Sequence, residues 1–153
     1  VLHGNEIIYV IEERAAHRPP LVSGVGVRLP SHLTATGRAI LAALPRNQVR
    51  ALYPNRQAFT DRTGIGPKSP KELEATLAET RRIGFAEEHG DVTPGFDSYA
   101  VAVRDYNDFP IAGLALTFVS GSLRPEQERS LKTKLRLAGT ELSRRLGAVG
   151  SLT

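Results

Sequence analysis

An α+β fold is what this sequence predicts, on three observations. Short apolar runs cluster around hairpin-type turns at His3-Gly4-Asn5-Glu6 and Asp105-Tyr106-Asn107-Asp108. Other stretches repeat apolar residues at helical spacing between caps and prolines. About five or six strands mixed with about four helices, the strands grouped in hairpins, imply α+β.

The balance of residues sets the class. At 153 residues the chain fits one domain, 1–153, long enough to bury roughly 70% of its unfolded surface. With 41% hydrophobic and 24% charged residues it has the composition of a soluble globular protein. No apolar run approaches the roughly 20 residues that cross a bilayer, so no membrane partner is expected. The absence of cysteine removes disulfides, thiol catalysis and cysteine-ligated zinc, and fits a cytoplasmic protein. Net charge is +4 and the pI about 9.8, yet both signs are interspersed. No basic block with interleaved aromatics is present, so a solvated surface that draws in small anions is expected, not direct DNA reading.

The chain opens on its first turn with only Val1 and Leu2 before it, too few to pair with an apolar strand over Ile7–Ile11. With no initiator methionine either, the expectation is a truncated first strand and one domain of a longer protein. Glu12 to Pro20 reads as a loop. Leu21 to Leu29 sets Val22, Val25 and Val27 among Gly24 and Gly26, predicting a bent or bulged strand. A helix follows from Thr34 to Pro45, and a second runs over Arg46–Leu52, with Val49 and Leu52 buried and Pro54 ending it. Asn55 to Lys68 carries Gly64, Gly66 and Pro67 with few apolar residues, and reads as an exposed, mobile flap. Ser69-Pro70 starts the third helix, whose Leu73, Leu77, Thr80 and Arg81 share a face and which Gly84 closes. Phe85–His89 is a strand leading to a turn at Pro94-Gly95. In the next strand Phe96, Ser98, Ala100 and Ala102 share one face, and Asp97, Tyr99, Val101 and Val103 the other. Ile111–Val119 returns as its partner. Pro125 to about Gly147 forms a long helix with Leu131, Leu135, Ala138, Leu142 and Leu146 on one side.

The stretch Leu29 to Pro45 holds the main candidate site. Thr34 is a suitable N-cap, and Ala39, Ile40, Ala43 and Leu44 form a buried stripe. Ala35, Thr36 and Gly37 are small, so a ligand could approach the backbone of the first turn. Free N–H groups and the positive end of the helix dipole favour a carboxylate or phosphate there. An ordinary capped core helix has the same wording.

The segment Leu29-Pro30-Ser31-His32-Leu33-Thr34-Ala35-Thr36-Gly37-Arg38-Ala39-Ile40-Leu41-Ala42 resembles the pattern that opens the effector-binding domain of IclR-type transcriptional regulators. Further pieces follow in order. Thr60–Thr63 is similar to the family's "T-x-x-T" segment, and Leu73 to Phe85 to its helix and glycine exit. Asp91 and Gly95 resemble "E-x-x-x-G", with aspartate for glutamate. Ala100–Val103 and Asp105 resemble "iAaPVfD", with Ala102 in place of proline and Arg104 in place of an aromatic. The resemblance implies a GAF-like domain, a curved, mainly antiparallel sheet flanked by helices around a ligand pocket. It implies a small carboxylate or aromatic acid effector, no cofactor, self-association to a dimer or tetramer, and DNA binding only through a winged helix-turn-helix upstream of this chain.

On that pattern the N–H groups of Ala35 and Thr36 and the Thr36 hydroxyl hold the acid head group. Glu88 stands where an acidic residue lines the site, Ser98, Ala115 and Thr117 fall at further pocket positions, and Phe96 and Leu33 supply apolar wall. Ala115 removes a hydroxyl that relatives often carry. Two other classes compete: a GAF-like sensor of another small molecule, and a small hydrolytic or metal-dependent enzyme. The acid/histidine cluster for the latter is Glu87, Glu88, His89 and Asp91, with His32. Glu88 and His89 point to opposite sides of a strand, no HExxH spacing occurs, and neither Ser23-Gly24 nor Ser120-Gly121 forms a nucleophile elbow. His32 reads as a hydrogen-bonded structural residue. The expectation is therefore a sensing domain without catalysis or metal.

Overall fold

The computed structural model describes residues 1–17, 21 and 24–149. β1 (Leu2–His3) turns through Gly4-Asn5 into β2 (Glu6–Ile8), and β3 (Arg28–Pro30) pairs antiparallel on the other side of β2. Gly4 takes that turn at φ +61°, where a Cβ is strained. Fully buried Ile7 stands between Leu2 and Leu29 in the two ladders.

Both N-terminal strands are shorter than predicted. Regular pairing ends at Ile8 instead of Ile11, and Ile11 is 84% exposed. Tyr9 still donates its N–H to the Val27 carbonyl at 3.2 Å and accepts from the Gly26 N–H at 2.7 Å. The bend predicted from Gly24 and Gly26 is a turn at Val25-Gly26, with Gly26 at φ +84°. The Pro19-Pro20 loop, Val22 and Ser23 lie outside the described residues.

Helix α1 (Ala35–Ala43) starts at the predicted cap, where Thr34 Oγ1 accepts the Gly37 N–H at 2.9 Å. The predicted stripe widens to burial all round, since every residue from Ala35 to Ala42 is buried. The helix has a core on either side. Ile40 and Leu41 pack with Ile7, Leu73 and Leu77, while Ala35 and Ala39 lie on Ala86 and Ala100 of the second sheet. Small side chains permit that closeness, and a Cβ at Gly113 would fall 2.7 Å from Thr36 Cγ2. Gly37 serves the same end: a Cβ there would meet the Ser31 carbonyl oxygen at 2.1 Å. At Gly37 the space read from sequence as room for a ligand is filled by the chain's own backbone.

α2 (Arg46–Leu52) matches its predicted bounds. The segment after it is anchored, not a free flap. A 3-10 turn at Arg56–Ala58 brings the Phe59 ring to 5.1 Å from His32 and 4.9 Å from Tyr53, centroid to centroid. The Thr60 carbonyl accepts from His32 Nε2 at 2.9 Å, and the Thr63 hydroxyl donates to the Asp91 carbonyl at 3.1 Å. α3 (Pro70–Ile83) is capped by Ser69, whose Oγ accepts the Glu72 N–H, and is closed by Gly84 at φ +80°. It buries Leu73, Leu77 and Thr80, and Arg81 Nε donates to the Ala42 carbonyl at 2.9 Å.

β4 (Ala86–His89), β5 (Phe96–Arg104) and β6 (Pro110–Val119) form the second antiparallel sheet. The two faces of β5 divide as predicted: Ala100 packs toward α1, and Tyr99 and Val101 pack beneath α4 (Pro125–Arg145) with Leu135. The α4 stripe is rotated from its prediction. Its buried residues are Leu135 and Gly139, whereas Leu142 and Leu146 are 37% and 42% exposed. Gly139 explains this, since its missing side chain lets Val101 come so close that a Cβ would stand 2.5 Å from Val101 Cγ2. The α+β class therefore stands, with six described strands in two three-stranded sheets and α1 packed between their cores.

Gly37→Ala is expected to lower unfolding free energy by about 3 kcal/mol, the upper range for overpacking against backbone. Urea denaturation of parent and variant measures it.

Candidate functional site

The end of β3 and the start of α1 are held by one buried guanidinium. Arg38 donates from Nε to the His32 carbonyl at 2.8 Å, from Nη1 to the Glu87 carbonyl at 2.9 Å, and from Nη2 to Asp91 Oδ2 at 2.5 Å. The Arg38 and Asp91 side chains are only 6% and 5% exposed. Asp91 Oδ1 also accepts the His89 N–H at 3.2 Å, which fixes the turn after β4. On the other side, Tyr53 accepts from the His32 N–H and donates to the Asn5 carbonyl. Burial holds His32 below the ordinary imidazole range, so it is neutral and its Nε2–H donates to Thr60.

This frame leaves a narrow cavity of about 30 Å³ between the first turn of α1, the turn after β4, and strands β5 and β6. Among its walls are Ala35, Thr36, Phe96, Ser98, Ala115 and Thr117. Six of the eight residues proposed from sequence thus meet at one hollow. Two do not line it. Leu33 is buried beneath Gly66, where a Cβ would stand 2.7 Å from Leu33 Cδ2. Glu88 pairs in register with Ser98 and is turned to the Val92 N–H, which its Oε1 accepts at 3.1 Å. No residue of the Asn55–Lys68 segment is in the wall.

The polar groups facing the cavity are those a small anion needs. Among the described residues no acceptor meets the N–H groups of Ala35 and Thr36, the first two of α1. Ser98 Oγ and Thr117 Oγ1 lie 2.9 Å apart across the β5–β6 ladder, and each could turn to a ligand. Burial raises the Glu88 carboxyl above its ordinary range, with the Val92 N–H opposing.

Sequence reasoning missed Tyr9, Leu21, Leu29, Thr34, Val92 and Thr93 as wall residues. Tyr9 had a signal, since it shares strand parity with core-facing Ile7. Val92 and Thr93 lie between Asp91 and Gly95, at positions the motif leaves open. The acid/histidine cluster does not converge. Glu88 is buried, while His89 faces outward between Glu87 and Asp97, each at 3.4 Å. Among the described residues no group of three histidine or acid side chains is arranged to hold a metal.

Residues 1–144 match the family model described as "Bacterial transcriptional regulator IclR C-terminal". The HTH-type transcriptional regulator XynR of Escherichia coli is 30% identical over 147 residues, 96% of this chain and 58% of that protein. The glycerol operon regulatory protein of Streptomyces coelicolor is 31% identical over 97% of this chain and 58% of its own. The chain therefore spans somewhat over half the length of these relatives. Among solved structures, the Agrobacterium tumefaciens repressor BlcR superposes with a TM-score of 0.87 at 29% identity, covering 98% of this chain and 59% of that one. The GAF-like reading agrees with these matches.

Arg38→Met, which leaves Asp91 buried without its partner, is expected to cost about 4 kcal/mol, and adding Asp91→Asn to recover more than half. Chemical denaturation of the two variants tests the pair. Glu88 gives a pH signature. Its folded value lies above the ordinary 4.5 that holds in the unfolded chain, so the folded chain keeps the proton longer. Stability is lost as pH rises from about 4.5 through the raised folded value. Glu88→Gln removes this term, so the variant's melting temperature should gain on the parent's as pH rises above about 4.5.

Proposed function

The chain belongs to the C-terminal domains of bacterial IclR-type transcriptional regulators, and from that premise we propose that it senses a small organic acid in the cavity beside α1. The carrying observation is the pair of N–H groups at Ala35 and Thr36, without an acceptor among the described residues, in a wall that also holds the hydroxyl residues Thr36, Ser98 and Thr117. The acid's carboxylate sits on those amides and the Thr36 hydroxyl, where the helix dipole also favours negative charge. Ser98 and Thr117 bind its polar substituents. Phe96 and Ala115 pack against its body, and Ala115 offers no donor. Leu33 and Glu88 support the site from behind, Leu33 by packing under the α1 approach and Glu88 by holding the turn at Val92.

In our reading the cavity binds without catalysis. Ser98 Oγ and Thr117 Oγ1 are hydrogen-bonded to each other, and the Glu88 carboxyl, in register with Ser98, is taken up by the Val92 N–H. The relatives reported above are regulators of transcription. In our reading the ligand acts by population shift, and it must bind one arrangement of the protein better than another to do so. Arg38 joins the two sides of the cavity, because it fixes α1 to the same β4–β5 turn that brings Val92 and Thr93 to it. A winged helix-turn-helix upstream of this chain would read DNA, in a cytoplasmic dimer or tetramer assembled through this domain.

A thermal-shift series of short and aromatic carboxylates, each beside its neutral amide, tests the site. At least one acid should raise the melting temperature while its amide does not, and Thr36→Val should weaken that acid about tenfold while leaving the unliganded fold in place. Equal response to acid and amide, or an unaffected variant, would overturn the reading. Light scattering should give a dimer or larger; a monomer at high concentration contradicts the assembly.

A further inference from the structure

We propose that segment 59–68 is a latch: seated on the Arg38–Asp91 pair, it holds the turn 90–95 closed over the cavity, and its release opens the hollow to a ligand. The inference rests on the effector-site reading and supplies the motion that reading needs.

As it stands the hollow measures about 30 Å³, space for about two waters and less than an organic acid requires. A wall must therefore move. The α1 wall is held fast: Ala35 and Ala39 lie against Ala86 and Ala100, and Thr36 is wedged against Gly113. The turn that brings Val92 and Thr93 to the cavity is built differently. Gly90 at φ +75° and Gly95 at φ +85° flank it, and glycines change backbone angles at little steric cost, as hinges do. A Cβ at Gly95 would meet nothing within 4 Å, so that end of the turn has room to swing.

Segment 59–68 holds this turn from outside. The Thr63 hydroxyl donates to the Asp91 carbonyl at 3.1 Å, and Arg62 Nε to the Val92 carbonyl at 3.4 Å. Gly66, at φ +99°, lies directly on the buried ion pair, where a Cβ would stand 2.7 Å from Asp91 Oδ2 and 3.4 Å from Arg38 Nη2. Glycine alone suits both that backbone angle and that space. The Thr60 carbonyl ties the start of the segment to His32, on the α1 side of the cavity frame. The outward face is wet: Ile65 is 52% exposed, and the Asp61–Lys68 ion pair is about half exposed. Inward contacts thus hold the segment down, and a piece with so few of them opens at a small fraction of the global unfolding free energy.

Native-state amide hydrogen exchange and calorimetric titration with propionate compare the parent with Gly66→Ala, Thr63→Val and Ile65→Ala. The last changes the outward face of the same segment and serves as control. The reporting amides are Val92, bonded to Glu88, and Phe96, bonded to the Thr93 carbonyl. Gly66→Ala should speed their exchange at least tenfold and Thr63→Val by a smaller factor, while Ile40 and Leu77 in the core stay at the parent's rate. Ile65→Ala should match the parent throughout. Because the ligand occupies the opened state, Gly66→Ala should also bind propionate about tenfold more tightly. Unchanged exchange at Val92 and Phe96 in both latch variants overturns the proposal, as does a rise shared equally by Ile40 and Leu77. Thr63→Val, which removes one hydroxyl, carries the test should Gly66→Ala unfold. Faster exchange beside an unchanged propionate affinity would sink the latch alone. If propionate binds none of the four proteins while exchange responds as expected, the effector-site reading fails and the gating role with it.

Discussion

The buried pair of Arg38 and Asp91 is the constraint from which the site's shape follows. A guanidinium with so little exposure must satisfy its donors internally, and this one does so on three separate pieces of chain: the His32 carbonyl, the Glu87 carbonyl and the Asp91 carboxylate. Those pieces are the approach to α1, the strand β4 and the turn that follows it. Fixing all three from one planar group sets the distance between the start of α1 and the β4–β5 turn, which is the width of the cavity. The neutral His32 and the Tyr53 hydroxyl brace the other side of the same approach.

Close packing of small residues provides the second condition. Ala35, Ala39, Ala86 and Ala100 bring α1 down onto the second sheet, and Gly113 admits Thr36 where any side chain would collide. A larger residue at these points would lift the helix and open the hollow to water. Interiors packed at this density transmit displacement instead of absorbing it, so the ligand we propose at Thr36 would press on elements held to one another. That is the physical content of a sensing domain here: a small polar hollow between parts that cannot move independently.

Much of this was legible in the sequence, for reasons that differ by residue. The caps at Thr34 and Ser69 and the exit at Gly84 are local chemistry, and each lies where the sequence places it. The pocket wall was legible through the family resemblance, which points to Phe96, Ser98, Ala115 and Thr117, and these four do line the hollow. It failed where tertiary contacts decide. Gly37 looks like space for a ligand until Ser31 is seen to fill it, and the outward rotation of Leu142 and Leu146 depends on Gly139 meeting Val101. Asn55 to Lys68 looks mobile by composition, but its anchors at Thr60 and Thr63 bond to residues some thirty positions away. Tyr9 escaped because regular pairing was expected to carry it to Ile11 as one of several equivalent strand residues.

The central claim is that a carboxylate docks on the first amides of α1. Amide chemical-shift mapping by nuclear magnetic resonance, titrating propionate into isotope-labelled chain, reads those two groups directly. The account predicts the largest saturable shifts at the Ala35 and Thr36 amides, with smaller ones at Val92 and Thr93. Saturable shifts confined elsewhere, for instance to the groove between Leu44 and Ile111, with Ala35 and Thr36 unmoved, would contradict it.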